Sequence, residues 1–133
     1  MIIFIRNIYM FLKIINSFFK FCIYNINNKD IMIGINGLGR IGRLVLRASF
    51  ENPRGIDIVT VNDPMMKPDE FRYLLTYDSA HLKFPFKVEK WDQGVMVNGK
   101  RIRLYSEMDP TKVPWGEHSV GTVLECTGKF LTT

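Results

Sequence analysis

The residues most able to do chemistry in this sequence are three glycines and one carboxylate. Gly37-Leu38-Gly39-Arg40-Ile41-Gly42 has the pattern GxGxxG, and Asp63 stands 21 positions after its last glycine. In such a loop Gly37 permits a tight turn, Gly39 removes a side chain where a pyrophosphate would approach the backbone, and Gly42 lets a helix pack on a strand. The helix that follows would present its first N–H groups and the positive end of its dipole to a phosphate, so no lysine is required. Asp63 can accept hydrogen bonds from ribose hydroxyls and would repel a 2′-phosphate, which favours NAD over NADP. A plainer reading has the glycines making only a tight turn and Asp63 capping whatever follows it. GxGxxG alone is weak; a strand before it, a helix after it and an acid ending the next strand make it specific.

Those flanking elements are legible. Residues 31–36, IMIGIN, form a short apolar run of the kind expected for a strand buried on both faces of a parallel sheet. Ile41, Leu44, Val45 and Ala48 recur at helical spacing, predicting a helix from about Arg40 to Phe50 whose Arg43 and Arg47 face water. Asn52, Pro53, Arg54 and Gly55 break it, and IDIVTVN, residues 56–62, predicts a second strand leading to Asp63. Pro68 to Leu75 predicts a helix ended by Tyr77 and Asp78, with Asp69 and Glu70 suited to its first turn. Val95 and Val97, the turn pair Asn98-Gly99, then Ile102 and Leu104 predict an antiparallel hairpin insertion. Asp109 and Pro110 open a short helical turn, and Val120 to Glu125 predicts a further buried strand delivering Cys126, Thr127 and Gly128. The expected fold is α/β, a Rossmann-type doubly wound parallel sheet.

Composition limits the alternatives. The 133 residues suffice for one ordinary core, and they divide into a leader, 1–30, and the body, 31–133. The net charge is +5, but the leader holds Arg6, Lys13, Lys20 and Lys29 against Asp30 alone, so the body carries only +2, and a nucleic-acid surface is not expected. Lys13, Asn16, Ser17 and Lys20 interrupt the leader's apolar stretch, which argues against a membrane span. The segment also lacks a small-residue cleavage site and the Arg and Ser content of a transit peptide. It reads best as low-complexity upstream sequence of doubtful reality, with the body starting near Lys29 or Met32. Cys22 and Cys126 are far apart, and His81 and His118 are the only histidines, so neither a disulfide framework nor a metal site is expected; a reducing, cytoplasmic setting fits.

From about Lys29 onward the chain resembles the N-terminal part of the glyceraldehyde-3-phosphate dehydrogenase family. The resemblance rests on INGLGRIGR (35–43), VNDP (61–64), YDS (77–79), SEMDPTKVPW (106–115) and ECTGKFLTT (125–133). It implies NAD as cofactor, with Asn36, Gly37, Gly39, Arg40, Ile41 and Gly42 near the pyrophosphate, mainly through backbone, and Asp63 on the ribose. Pro64 and Met65 would form one adenine wall, Thr127, Gly128 and Phe130 the other, with Ser106, Glu107 and Met108 at the adenine edge. Ordinary loop and core packing is the alternative for Phe130, Ser106 and Glu107. Leu38 stands where the family usually has Phe, Met65 where Phe is frequent, Leu82 where it has Gly, and Met108 where it has Arg, which removes a basic side chain near the cofactor. A relative acting on erythrose 4-phosphate shares the glycine loop, but Asn62-Asp63-Pro64 looks more like the glyceraldehyde-3-phosphate enzyme.

The resemblance further implies a phosphorylating oxidation of an aldehyde to an acyl phosphate, with a cysteine in a Ser-Cys-Thr-Thr-Asn-Cys motif as nucleophile. That motif does not occur in these 133 residues. No catalytic residue is therefore assigned: Cys126, with no histidine that sequence places beside it, is expected to line the core or the cofactor, and His81 and His118 to be surface or packing residues. Two readings compete, an NAD-binding portion of the enzyme that is inactive alone and a free-standing NAD-binding or moonlighting module. The family's homotetramer would be expected only on completion by the catalytic domain.

Overall fold

The computed structural model describes residues 2–4, 31–51, 56–77 and 84–127. Its strands are β1 (Ile2–Phe4), β2 (Ile31–Asn36), β3 (Ile56–Asn62), β4 (Val88–Trp91), β5 (Gly94–Val97), β6 (Lys100–Tyr105) and β7 (Thr122–Glu125). Two α-helices, α1 (Arg40–Glu51) and α2 (Pro68–Thr76), and two 3₁₀ turns, Pro110–Lys112 and Trp115–His118, complete it. One sheet runs in the order β1-β7-β2-β3-β6-β5-β4. β1, β7, β2, β3 and β6 pair in parallel, and β4, β5 and β6 pair antiparallel.

The expected strand, helix, strand unit is present. β2 lies between two parallel neighbours, as its apolar character requires, and Ile33 and Ile35 are buried. The hairpin turns at Asn98 (φ 52°) and Gly99 (φ 83°), both in the left-handed region that a two-residue turn needs. The hairpin joins the main sheet through β6, which pairs in parallel with β3. Val88–Trp91 is a strand that alternation had not revealed; it flanks the hairpin and packs under α2.

The pleat decides what covers each face. Ile35 faces α1, and an added Cβ on Gly42 of that helix would lie 3.5 Å from its side chain. Gly34, pointing the other way, faces the ring of Trp115 and Val120. α1 and α2 touch one another and bury Val45, Leu46, Phe71 and Leu75, while the 3₁₀ turn at Trp115 covers part of the opposite face.

One sequence expectation fails here. Arg47 does not face water: it is 5% exposed, and its guanidinium lies 5.1 Å from the centre of the Phe84 ring. Helical periodicity cannot foresee an aromatic brought in from 37 residues downstream.

Candidate functional site: the C-terminal ends of the parallel strands

β2, β3, β6 and β7 all end at one rim of the sheet, where the glycine loop leaves β2. Gly37 has φ 102°, a conformation that side chains resist, and its N–H donates to the Asn62 carbonyl at 2.8 Å. A Cβ on Gly37 would also meet the Thr127 backbone nitrogen at 2.7 Å. A Cβ on Gly42 would overlap the Gly37 carbonyl oxygen, so the helix can start this close to the loop only as glycine. Gly39 is the opposite case: exposed, with nothing among the described residues within 4 Å of where its Cβ would be. That is open ground over the first turn of α1, whose N–H groups have no partners within the helix. Arg43 secures the loop from behind, donating from its backbone to Gly39 and from Nη1 to the Leu38 carbonyl, both at 3.0 Å.

Asp63 binds two turns together. Its Oδ2 accepts the Leu38 N–H at 2.8 Å and its Oδ1 the Met65 N–H at 2.9 Å. The capping reading and the cofactor reading are thus compatible, since each carboxylate oxygen has a second lone pair to offer a hydroxyl. Met65 and Met108 are exposed at 78% and 73% although large and apolar. They stand on the turns following β3 and β6.

Beneath these turns runs a chain of buried side-chain hydrogen bonds. Asn62 Oδ1 accepts the Glu107 N–H at 2.8 Å, and Asn62 Nδ2 donates to the Glu107 carbonyl at 3.0 Å and to Asn36 Oδ1 at 2.8 Å. Asn36 Nδ2 donates to Glu125 Oε2 at 2.7 Å. Glu125 Oε1 accepts the Thr127 N–H at 2.9 Å and also the Thr127 hydroxyl. Asn36, Asn62 and Glu125 are at most 5% exposed. Strand register sets them side by side, Asn36 opposite both Asn62 and Glu125.

The candidate residues accordingly fall into layers. Gly37, Gly39, Arg40, Ile41 and Gly42 form the loop and helix start, with Arg40 exposed and Ile41 half-buried. Pro64, Met65, Glu107, Met108 and Thr127 lie on the adjoining turns, and Gly128 and Phe130 lie outside the described residues. Asn36 lies below the surface: its side chain is committed to Asn62 and Glu125, and its carbonyl accepts the Cys126 N–H at 2.8 Å. Asn62 and Glu125 were not singled out by sequence. The available signal was a polar residue closing each of three apolar strands, IMIGIN, IDIVTVN and TVLE.

Nothing at this rim, among the described residues, forms an activated nucleophile. Cys126 is 8% exposed, and burial, reinforced by the neighbouring Glu125 carboxylate, pushes its thiol up to about 12. His118 shares a 2.7 Å hydrogen bond with the Tyr105 hydroxyl and packs edge-on against that ring. Among the described residues no three His, Cys, Asp or Glu side chains are grouped to hold a metal ion.

The open ground at Gly39, the free first turn of α1 and the Asp63 carboxylate fit a dinucleotide laid across the strand ends. Comparison with known proteins agrees. Residues 31–133 match the family model described as glyceraldehyde 3-phosphate dehydrogenase, NAD binding domain. The chain is 45% identical over 101 residues to glyceraldehyde-3-phosphate dehydrogenase of Aspergillus oryzae, covering 76% of this chain and 30% of that protein. It is 46% identical over 103 residues to that of Coccidioides immitis, covering 77% and 30%, and 48% identical over 100 residues to that of Phytophthora infestans, covering 75% and 30%. The chain thus spans about a third of the length of these relatives, and it belongs to the glyceraldehyde-3-phosphate dehydrogenase family, whose NAD-binding domain it represents.

Proposed function

We propose that this chain is the cofactor-holding portion of a phosphorylating glyceraldehyde-3-phosphate dehydrogenase. The observation that carries the reading is the glycine loop fastened to Asp63, with open space at Gly39 over the start of a twelve-residue helix. The pyrophosphate would lie on the N–H groups of Arg40 and Ile41, where the helix dipole offsets its charge. Asp63 would hold the adenosine ribose, with the adenine between the turn at Pro64 and Met65 and the segment from Thr127 to Phe130. Bound NAD would supply the hydride acceptor. The chain's own residues bind it, orient it and exclude a 2′-phosphate.

Aldehyde oxidation and phosphorolysis would need an activated nucleophile, which the described residues do not supply, since Cys126 is buried and its thiol pushed up to about 12. We therefore expect no aldehyde turnover by this chain alone, and a family-type tetramer only with a catalytic domain. The free thiol of Cys126 fits a reducing compartment, and we place the chain in the cytosol. Among the described residues no helix is long and apolar enough to cross a membrane.

Calorimetric titration of the whole chain with NAD and with NADP tests this reading. NAD should bind at least about tenfold more tightly than NADP, a difference of roughly 1.4 kcal/mol. Asp63→Ala should weaken NAD binding by a similar factor or more, because it removes both a loop anchor and the ribose acceptor. Equal affinity for the two cofactors, or none for either in a folded sample, would refute it.

A further inference from the structure

We propose that Glu125 is a positioning residue whose carboxylate fixes the two flanks of the cofactor bed relative to each other; the proposal rests on reading the strand ends as that bed. At one end of the buried chain stands the Glu107 peptide group, whose N–H and C=O cannot exchange places. Because Asn62 pairs with both, its amide must present Oδ1 to the N–H and Nδ2 to the carbonyl. The Nδ2 of Asn62 also faces Asn36, so Asn36 must present Oδ1 to it and turn its own Nδ2 toward Glu125. Residue 125 must accept there. At the other end the Thr127 N–H, again a fixed donor, points at the second oxygen of the same side chain, so residue 125 must accept there too. Only a carboxylate accepts at both positions.

One side chain on β7 thereby completes a chain of hydrogen bonds whose direction the peptide groups at its two ends dictate, out to the turn after β6, across β2 and β3. It holds Glu107, on the adenine edge, in register with Thr127, on the facing wall. An isosteric amide cannot do this. A glutamine side chain at position 125 would point its Nε2 at either the Asn36 amide nitrogen or the Thr127 N–H, leaving buried donors face to face.

The test uses the whole chain in three variants, Glu125→Gln, Asn36→Asp and the pair together. Asn36→Asp alone sets two buried carboxylates against each other. In the double variant the carboxylate moves one place along the chain, to position 36. There it accepts from both Asn62 and the new amide at position 125, whose oxygen in turn accepts from Thr127. Two readouts are taken, hydrogen exchange at the Glu107 and Thr127 amides without ligand, and NAD affinity by calorimetry. Each single variant should speed exchange at both amides and weaken NAD binding by about tenfold or more, and the double variant should recover most of both losses. A merely structural role would speed exchange at both amides but leave NAD affinity unchanged, and bonds whose polarity does not matter would make the two losses add. Additive losses, single variants that do not fold together with a double variant that does not fold either, or faster exchange with unchanged NAD affinity would overturn the proposal. So would absence of NAD binding by the unmodified chain, and only that result would also sink the function proposed above.

Discussion

At the scale of single residues, Cys126 shows how position overrides identity. It directly follows the strand that supplies Glu125, and its backbone is tied to Asn36, yet burial and the adjacent carboxylate make its thiolate costly. Folded-state burial raises its titration from an ordinary value of 9.0 to about 12. The sign follows by linkage. Below about pH 9 the thiol is protonated in both states and the folded state keeps its full advantage. As pH rises from about 9 toward about 12 the unfolded chain gives up its proton first and that stability is lost. Alkylation by iodoacetamide at mildly alkaline pH, read by mass spectrometry at the peptide containing Cys126, should therefore proceed only as fast as global unfolding allows. Rapid labelling in the folded chain would show that the side chain is accessible. Replacing Cys126 with Ala should flatten the alkaline arm of the stability curve, measured by denaturant unfolding at successive pH values.

At the scale of elements, β2 depends on what each face of its pleat meets. Ile33 and Ile35 bury against the helical face, but Gly34 is required on the other, where an added Cβ would come within 2.5 Å of the Trp115 ring. That ring is itself held, its Nε1 donating to the Pro110 carbonyl at 3.0 Å. Gly34→Ala should thus destabilise by about 1–3 kcal/mol through overpacking, seen as a lower denaturation midpoint with a shifted tryptophan fluorescence. An unchanged midpoint would mean that the 3₁₀ turn yields freely. The same strand marks the limit of what the sequence reveals. Its extent, the helix after it and the hairpin at Asn98-Gly99 follow from short-range periodicity and turn chemistry, and all three stand as read. Two of the misses depended on distant partners: Arg47 is buried because Phe84 covers it, and Asn62 and Glu125 matter because register sets them beside Asn36. Val88–Trp91 was missed although its partner β5 follows after the two-residue turn Asp92-Gln93, because VEKW shows no clear apolar alternation. Of the candidate site, the loop and Asp63 were legible because one contiguous motif and its spacing carry them. The buried hydrogen-bond chain was not, since four separate segments contribute one or two residues each.

At the scale of the whole molecule, the sheet has an edge to manage. From residue 31 onward, among the described residues, β7 would be the last strand on its side, with no described strand pairing its outer row of backbone N–H and C=O groups. Residues 2–4 close that row as β1, parallel to β7, with Ile2 opposite Val123, Ile3 opposite Leu124 and Phe4 opposite Glu125. A segment whose composition reads as extraneous to the body therefore supplies a strand to it. Open edges template pairing with other chains, and here the exposed strand would be the one that carries Glu125. Deleting residues 1–5 should leave the body folded but make it self-associate. Sedimentation velocity over a concentration series should show growing oligomer, and hydrogen exchange at residues 122–125 should quicken at the lowest concentrations. If β1 merely lies against the edge without protecting it, the shortened chain will stay monomeric with exchange unchanged. If β1 protects it, NAD affinity measured on the shortened chain will fall with protein concentration, because the strand proposed to order the far wall of the cofactor bed will be shared with a neighbour.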